Sequence, residues 1–284
     1  MGLSSEAPRE AVLLKSVAIL FNPEREAAVE TAARVSVTIR EAGIDVFTRS
    51  AWEPGLERVA RDRDLAIVLG GDGTILTVGR ELAGTGVPTL GVNLGHVGFL
   101  AELTPQLIDG ALPAVLEGAF WVETRHVLEV NWQHNGRLHR NLALNEAAVA
   151  RGLSTRAIRV GIQVDGFHYT THTADGILVS TATGSTAYAL AAGGPILYPD
   201  SADMLLTPVA PHLHIGRALV LPRTATVDLE LRGDREAVLS IDGQTECPME
   251  VGAHVQVCLS DKRALFARLG SKNYFYSVLA GRLH

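Results

Sequence analysis

Asp72 is the side chain whose setting most clearly asks for chemistry. It lies in Gly70-Gly71-Asp72-Gly73-Thr74, where three glycines in four positions release the backbone from Cβ sterics. Gly70, Gly71, Gly73 and Thr74 are small enough for backbone amides to approach a phosphate, and a helix starting just beyond them adds a favourable dipole. A carboxylate in such an anion-attracting loop makes sense facing a metal ion or a hydroxyl that must lose a proton. Two familiar motifs are excluded. Leu76 stands where G-x-G-x-x-G needs its third small residue, and no Lys-Ser/Thr follows as a Walker A loop requires. A glycine-rich turn between strand and helix also serves as plain connection, so the loop alone leaves both readings open.

Two further groupings carry polar chemistry. Asn145-Glu146 interrupts an apolar stretch with an amide and a carboxylate, suited to ribose hydroxyls and a base edge; the same pair also fits one solvated strand position. From Asp175 to Tyr188 the chain reads DGILVSTATGSTAY, with five hydroxyl residues in the seven positions Ser180–Thr186. Small residues around Tyr188 leave room for a flat ligand against its ring, while Ser and Thr near a helix start also cap it. Two histidine pairs do not make metal sites. His168 and His172 flank Tyr169 where a zinc protease needs Glu, and in a strand they would lie roughly 13 Å apart. His212-Leu213-His214 is a weak metal pair.

These residues need elements to hold them. Leu65–Leu69 is an unbroken apolar run, as in a strand buried on both faces of a parallel sheet. Ser16–Phe21, Ile44–Phe47 and Val87–Val92 read as further strands. Ala28, Ala32, Val35 and Ile39 form one face of a helix that Asn22-Pro23 would open and Gly43 close. Polar residues from Gly55 to Arg61 suggest a short helix, and Thr104-Pro105 opens another, disturbed by Pro113, that runs to about Leu116. The second loop, Gly91-Val92-Asn93-Leu94-Gly95-His96-Val97-Gly98-Phe99-Leu100, falls at the same carboxyl edge as Asp72, where open α/β sheets bind ligands, though taken alone it reads first as an ordinary glycine-rich turn. From Trp121 to Leu259 alternation takes over, with Asn135-Gly136, Asp165-Gly166 and Asp242-Gly243 as hairpin signals. The expected fold is α/β plus all-β. Residues 1–118 form a Rossmann-like parallel-sheet domain, and 119–263 form a mostly antiparallel β domain. The apolar tail, 264–284, returns to complete the first domain.

Composition narrows the classes. The 284 residues are 47% hydrophobic and 20% charged, which suits packed cores rather than disorder. A formal net charge of −6 argues against nucleic acid as partner. No stretch reads as a signal peptide or a membrane span, and Cys247 and Cys258 lack metal-ligand spacing, so a cytoplasmic protein with free thiols is expected.

The motifs GGDGT, GVNLGHVGFL, ALNEAAVARG, DGILVSTATGSTAYALAAGGP, TPVAPH and SIDGQ stand in the order and spacing found in NAD kinases, and the chain resembles that family from about residue 16 to 270. GGDGT is shared with diacylglycerol, sphingosine and, more distantly, phosphofructokinases; the TGSTAY–GGP block separates NAD kinases from the lipid kinases. The resemblance implies phosphoryl transfer from ATP, or inorganic polyphosphate, to the adenosine ribose 2′-hydroxyl of NAD, giving NADP, with Mg²⁺ or another divalent metal. It implies a homotetramer or homodimer and no membrane partner. It makes Asp72 the proton acceptor, with Gly73 beside it lining the NAD site. Asn145 and Glu146 match the pair that holds the adenosine part. Asp175 matches the acidic residue of the DG motif, and Thr186, Ala187, Tyr188, Ala189, Leu190 and Ala191 the segment along the dinucleotide. Gln244 matches the glutamine after the late Asp-Gly turn, and Arg156 and Thr173 fall where members often contact NAD. Departures occur at Ala182, Ala189, Ala191 and Thr77, where many members carry Pro, Ser, Ser and a basic residue. A lipid kinase of the same superfamily and a non-catalytic NAD(P)-binding sensor are the alternatives.

Overall fold

The computed structural model describes residues 13–95, 98–152, 156–212 and 216–282. The chain divides into two compact units: unit 1 runs to Glu123 and resumes at Leu265, and unit 2 is Thr124–Ala264.

Unit 1 begins β1 (Ser16–Phe21), α1 (Glu26–Glu41), β2 (Asp45–Ser50), α2 (Leu56–Ala60), β3 (Leu65–Gly70), α3 (Asp72–Glu81), β4 (Thr89–Asn93), β5 (Ala101–Leu103) and α4 (Ile108–Leu116). The strands are parallel in the order β2-β1-β3-β4, with β5 also on β4. Every residue of β3 is buried, as its unbroken apolar run requires. The Ala28, Ala32, Val35, Ile39 face of α1 packs with Ile19, Ile67 and Leu90 in one core. Gly43 closes that helix at φ 76°. The opening differs from the sequence expectation: α1 starts at Glu26, and Asn22 instead accepts the Glu24 amide at 2.9 Å in the turn before it. Pro113 lies inside α4, three residues before its end.

Unit 2 is antiparallel. Its chain runs β6 (Trp121–His134, its first residues still in unit 1), β7 (Arg137–Ala143), β8 (Glu146–Arg151), β9 (Ile158–Val164), β10 (Phe167–Ala174), β11 (Gly176–Ser180) and the single turn α5 (Tyr188–Ala191). Then come β12 (Met204–Val209), β13 (Leu219–Leu221), β14 (Thr226–Arg232), β15 (Ala237–Ile241), β16 (Thr245–Met249) and β17 (His254–Arg268). One sheet has the order β13-β12-β11-β8-β15-β16; the other includes β10-β9-β14-β17. Their inner faces share one core, in which Ile162, Val227 and Val257 meet Val149, Ile177 and Leu239. Asn135, Asp165 and Asp242 have φ of 51°, 53° and 53°, each followed by a positive-φ glycine, and join β6 to β7, β9 to β10 and β15 to β16.

β17 ends in unit 1, where Phe266 pairs in parallel with Thr89 of β4. The tail continues as α6 (Tyr274–Arg282) and docks on unit 1 as its apolar, non-alternating residues suggested. Phe275 packs on Phe99 at 5.7 Å between ring centroids, and Gly270 O accepts Trp121 Nε1–H at 2.8 Å. Arg268 lies beneath, with 1% of its side chain exposed; it donates to Glu123 at 2.8 and 2.9 Å and to Glu102 at 3.2 Å. Tyr274 O–H also donates to Glu123, at 2.7 Å.

Candidate active site

In unit 1, the helix begins within the glycine motif rather than after it. Gly71 is extended (φ −89°, ψ −179°) and Asp72 is the first residue of α3, exposed, at the positive end of the helix dipole. The amides of Thr74 and Ile75 both donate to Gly71 O, at 3.0 and 3.1 Å. A Cβ on Gly71 or Gly73 would meet nothing within 4 Å, so both leave open approach beside Asp72. Thr74 is buried instead, its hydroxyl 3.5 Å from Asn22 Nδ2. Thr77, the departure one turn on, donates its hydroxyl to Gly73 O at 2.8 Å.

Asn93 completes this loop. Parallel pairing of β3 with β4 sets Gly70 opposite Asn93, and Asn93 Nδ2 donates to Asp72 Oδ1 at 2.8 Å. Gly98 closes the other side: a Cβ there would lie 2.3 Å from Asp72 Oδ2. Sequence reading set both loops at one sheet edge but missed Asn93 and Gly98 as partners of Asp72. His96 and Val97, in the same motif, lie outside the described residues.

In unit 2, Asn145 and Glu146 lie where β7 gives way to β8. Thr181 holds this corner from one side, with its amide donating to Asn145 O at 2.9 Å and its hydroxyl to Leu144 O at 2.6 Å. Gly184 presses so close that a Cβ would stand 2.2 Å from Asn145 O. From the other side, Asp242 accepts the amides of Leu144, Asn145 and Glu146. Sequence reading saw Asp242 only as a turn former. Glu146 is buried, and its Oε2 has no hydrogen-bond partner among the described residues. Burial first, then the Asp242 carboxylate, push its pKa up to about 7.

The hydroxyl-rich segment is more structural than its density suggested. Ser185 and Thr186 donate to carbonyls three residues back, Thr181 donates to Leu144 O, and Thr183 accepts from Arg125 at 3.1 Å. Tyr188 is 44% exposed, and Leu190 and Ala191 are exposed, but Ala189 is fully buried. Ala187 and Thr186 are partly buried. Gln244 is exposed just after the Asp242-Gly243 turn. Asp175 pairs with Arg151 at 3.1 Å. Arg156 and Thr173 lie elsewhere in the unit, lining a cleft of about 410 Å³ with Arg159, His212, Arg232, Asp234 and Arg235. Arg232 is bound to Glu230 and Thr171, and Arg235 donates to Ala157 O at 3.0 Å and lies 3.7 Å from Asp234.

Cys247 and Cys258 are free. Among the described residues no group of three or more His, Cys, Asp or Glu could hold a metal ion, and no helix is long and apolar enough to cross a membrane. His214 lies outside the described residues.

A Rossmann-like unit with an acidic helix start, followed by an antiparallel β unit with a clamped Asn-Glu corner, defines a two-unit α/β plus β nucleotide-binding architecture. Residues 48–120 match the model of the ATP-NAD kinase N-terminal domain, and 144–269 that of the ATP-NAD kinase C-terminal domain. An NAD kinase of Dehalococcoides mccartyi (strain CBDB1) is 40% identical over 95% of this chain and 96% of its own. One of Chloroflexus aurantiacus (strain J-10-fl) is 36% identical over 95% and 99%. The solved NAD kinase from Archaeoglobus fulgidus in complex with ATP superposes with a TM-score of 0.76 at 25% identity, covering 93% of this chain and 97% of that one. Yeast NADH kinase complexed with NADH shares the fold at a TM-score of 0.85 and 24% identity, over 98% and 92%. The chain belongs to the NAD kinase family.

Proposed function

We propose that the protein transfers the γ-phosphoryl group of ATP to the adenosine ribose 2′-hydroxyl of NAD, giving NADP and ADP. The observation that carries the chemistry is Asp72, an exposed carboxylate at a helix start, held by Asn93 beside the open faces of Gly71 and Gly73. The 2′-oxygen bonds to the γ-phosphorus as the bond from that phosphorus to the ADP oxygen breaks, and Asp72 takes the hydroxyl proton. Asn145 and the buried Glu146 hold the adenosine part, with Tyr188 packing on the dinucleotide. Gly70, Gly71, Gly73 and Thr74 form the donor-phosphate loop. Phosphoryl transfer leaves a protein mainly positioning and charge neutralisation to supply.

The family implies Mg²⁺. Asp72 fits it as a hard oxygen donor, since Mg²⁺ is usually held by one or two carboxylates together with substrate phosphates. When bound, the ion neutralises charge on the donor phosphates. A cytoplasmic homotetramer or homodimer fits a β-rich chain whose sheet edges need cover; light scattering showing a monomer at micromolar concentration would count against that assembly.

A coupled assay for NADP with ATP, Mg²⁺ and NAD tests the reaction, and repeating it with polyphosphate tests the second donor. Phosphorylation of a diacylglycerol or sphingoid base instead of NAD, or NAD binding without turnover, would replace this reading with the lipid-kinase or sensor alternative.

A further inference from the structure

We propose that Asp242 is a positioning residue for the dinucleotide, fixing the backbone from Leu144 to Glu146 so that the Asn145 and Glu146 side chains are presented in one orientation. This rests on the preceding reading that those two side chains hold NAD. The Asp242 carboxylate accepts three consecutive amides: Leu144 at 2.9 Å through Oδ2, and Asn145 at 2.8 Å and Glu146 at 3.1 Å through Oδ1. Its own amide donates to Glu146 O at 3.0 Å. Asp242 is 6% exposed, so these charge-assisted bonds are shielded from water.

Turn chemistry does not account for the carboxylate. Asn135-Gly136 makes a hairpin with nearly the same positive φ, 51° against 53°, using an amide side chain. Asp165 in the third such turn accepts the Thr226 amide at 2.8 Å, at an exposed position. Asp242 alone of the three binds the segment that holds two candidate substrate ligands. Thr181 holds the carbonyl side of the same segment, taking Leu144 O and Asn145 O. The backbone is therefore fixed on both edges, and the Asn145 side chain takes no part in those bonds. A bidentate clamp on three amides suits a corner that must not shift when ligand binds, because an imprecise corner weakens every contact it presents.

Asp242→Asn in the full-length protein tests this. Asn keeps the left-handed turn and one acceptor oxygen, but removes the charge and turns an NH₂ toward the Leu144 amide. Loss of a charged hydrogen bond typically weakens binding by about tenfold or more. The expected result is a rise of that order in KM for NAD, with KM for ATP unchanged and kcat less affected. A folded variant in which neither KM moves, or in which both rise together, overturns the proposal. If the variant does not fold, amide hydrogen exchange in the wild-type protein decides: Leu144, Asn145 and Glu146 should exchange as slowly as the paired amides of β8, and exchange as fast as in open loops overturns the clamp. That measurement needs no turnover. Failure of the NAD kinase assay would therefore be distinguishable from failure of the clamp.

Discussion

Asn93 Nδ2 donates to Asp72 Oδ1 at 2.8 Å, joining the end of one parallel strand to the first residue of the helix that follows its neighbour. Asn93 Oδ1 accepts the Gly95 amide at 2.9 Å, which fixes which way the amide faces. Asp72 is thus oriented by a side chain that is itself oriented. Such preorganisation is what a proton acceptor needs, since it leaves little rearrangement for the moment of reaction.

Replacing Asp72 by Asn should cut turnover by at least about a hundredfold, the lower range for a lost general base. The first position of a helix accepts Asn sterically, and NAD affinity should survive. Near-normal turnover in the folded variant would remove Asp72 from the chemistry. A metal titration on the same variant separates loss of a base from loss of a charge that helps hold Mg²⁺.

Gly98→Ala tests the positioning of Asp72 without touching its charge. The new Cβ would overlap the Asp72 carboxylate, the far end of a side chain, and push it off its bond to Asn93. Turnover should fall about tenfold or more, on the scale of losing one charged hydrogen bond, while the melting temperature changes little. Unchanged turnover would mean that the orientation seen here does not matter.

Much of this arrangement was legible and some was not, for physical reasons. Leu65–Leu69 announced β3 because only a strand covered on both faces carries so unbroken an apolar run. The three Asn-Gly and Asp-Gly turns were legible because a positive φ restricts residue choice sharply. The start of α3 was hidden because Gly71 and Gly73 are poor helix formers, so the helical pattern seemed to begin only at Ile75. The Asn93–Asp72 bond and the Asp242 clamp join residues 21 and 97 apart in sequence, contacts that no periodicity encodes. Arg268 reads as an ordinary strand-end charge; its burial depends on Glu123, 145 residues away. The hydroxyl cluster could not be divided in advance: Ser185 and Thr186 bond carbonyls three residues back, whereas Thr181 and Thr183 reach Leu144 and Arg125, 37 and 58 residues away.

Glu146 should make stability depend on pH. Its carboxyl rises from an ordinary 4.5 to about 7 in the folded protein, so between those values the folded state keeps a proton that the unfolded state has lost. Stability therefore falls as pH rises through that window, by about 3 kcal/mol at most. Glu146→Gln should remove this decline and be relatively more stable at pH 8 than at pH 5. Urea unfolding at the two values measures it, and parallel pH profiles for the two proteins would contradict the shift.

Glu123→Ala should destabilise unit 1. It removes one partner of the buried Arg268 and the acceptor of Tyr274, leaving Glu102 as the remaining carboxylate. Breaking such a buried pair typically costs about 3–5 kcal/mol. The melting temperature should fall by several degrees, and an unchanged value would show that Glu102 alone suffices.

Unit 1 is built from both ends of the chain, with the 141 residues of unit 2 inserted between them and β17 providing the return. During synthesis the first strands and helices emerge long before the strand that flanks β4. At about 5–20 residues per second, the wait is on the order of ten seconds. Throughout it, the β4 edge lacks Phe266, and the Glu123 carboxylate lacks the guanidinium of Arg268. The loop that carries Asp72 is thus borne on a unit that a nascent chain cannot finish until residues 265–284 have been made.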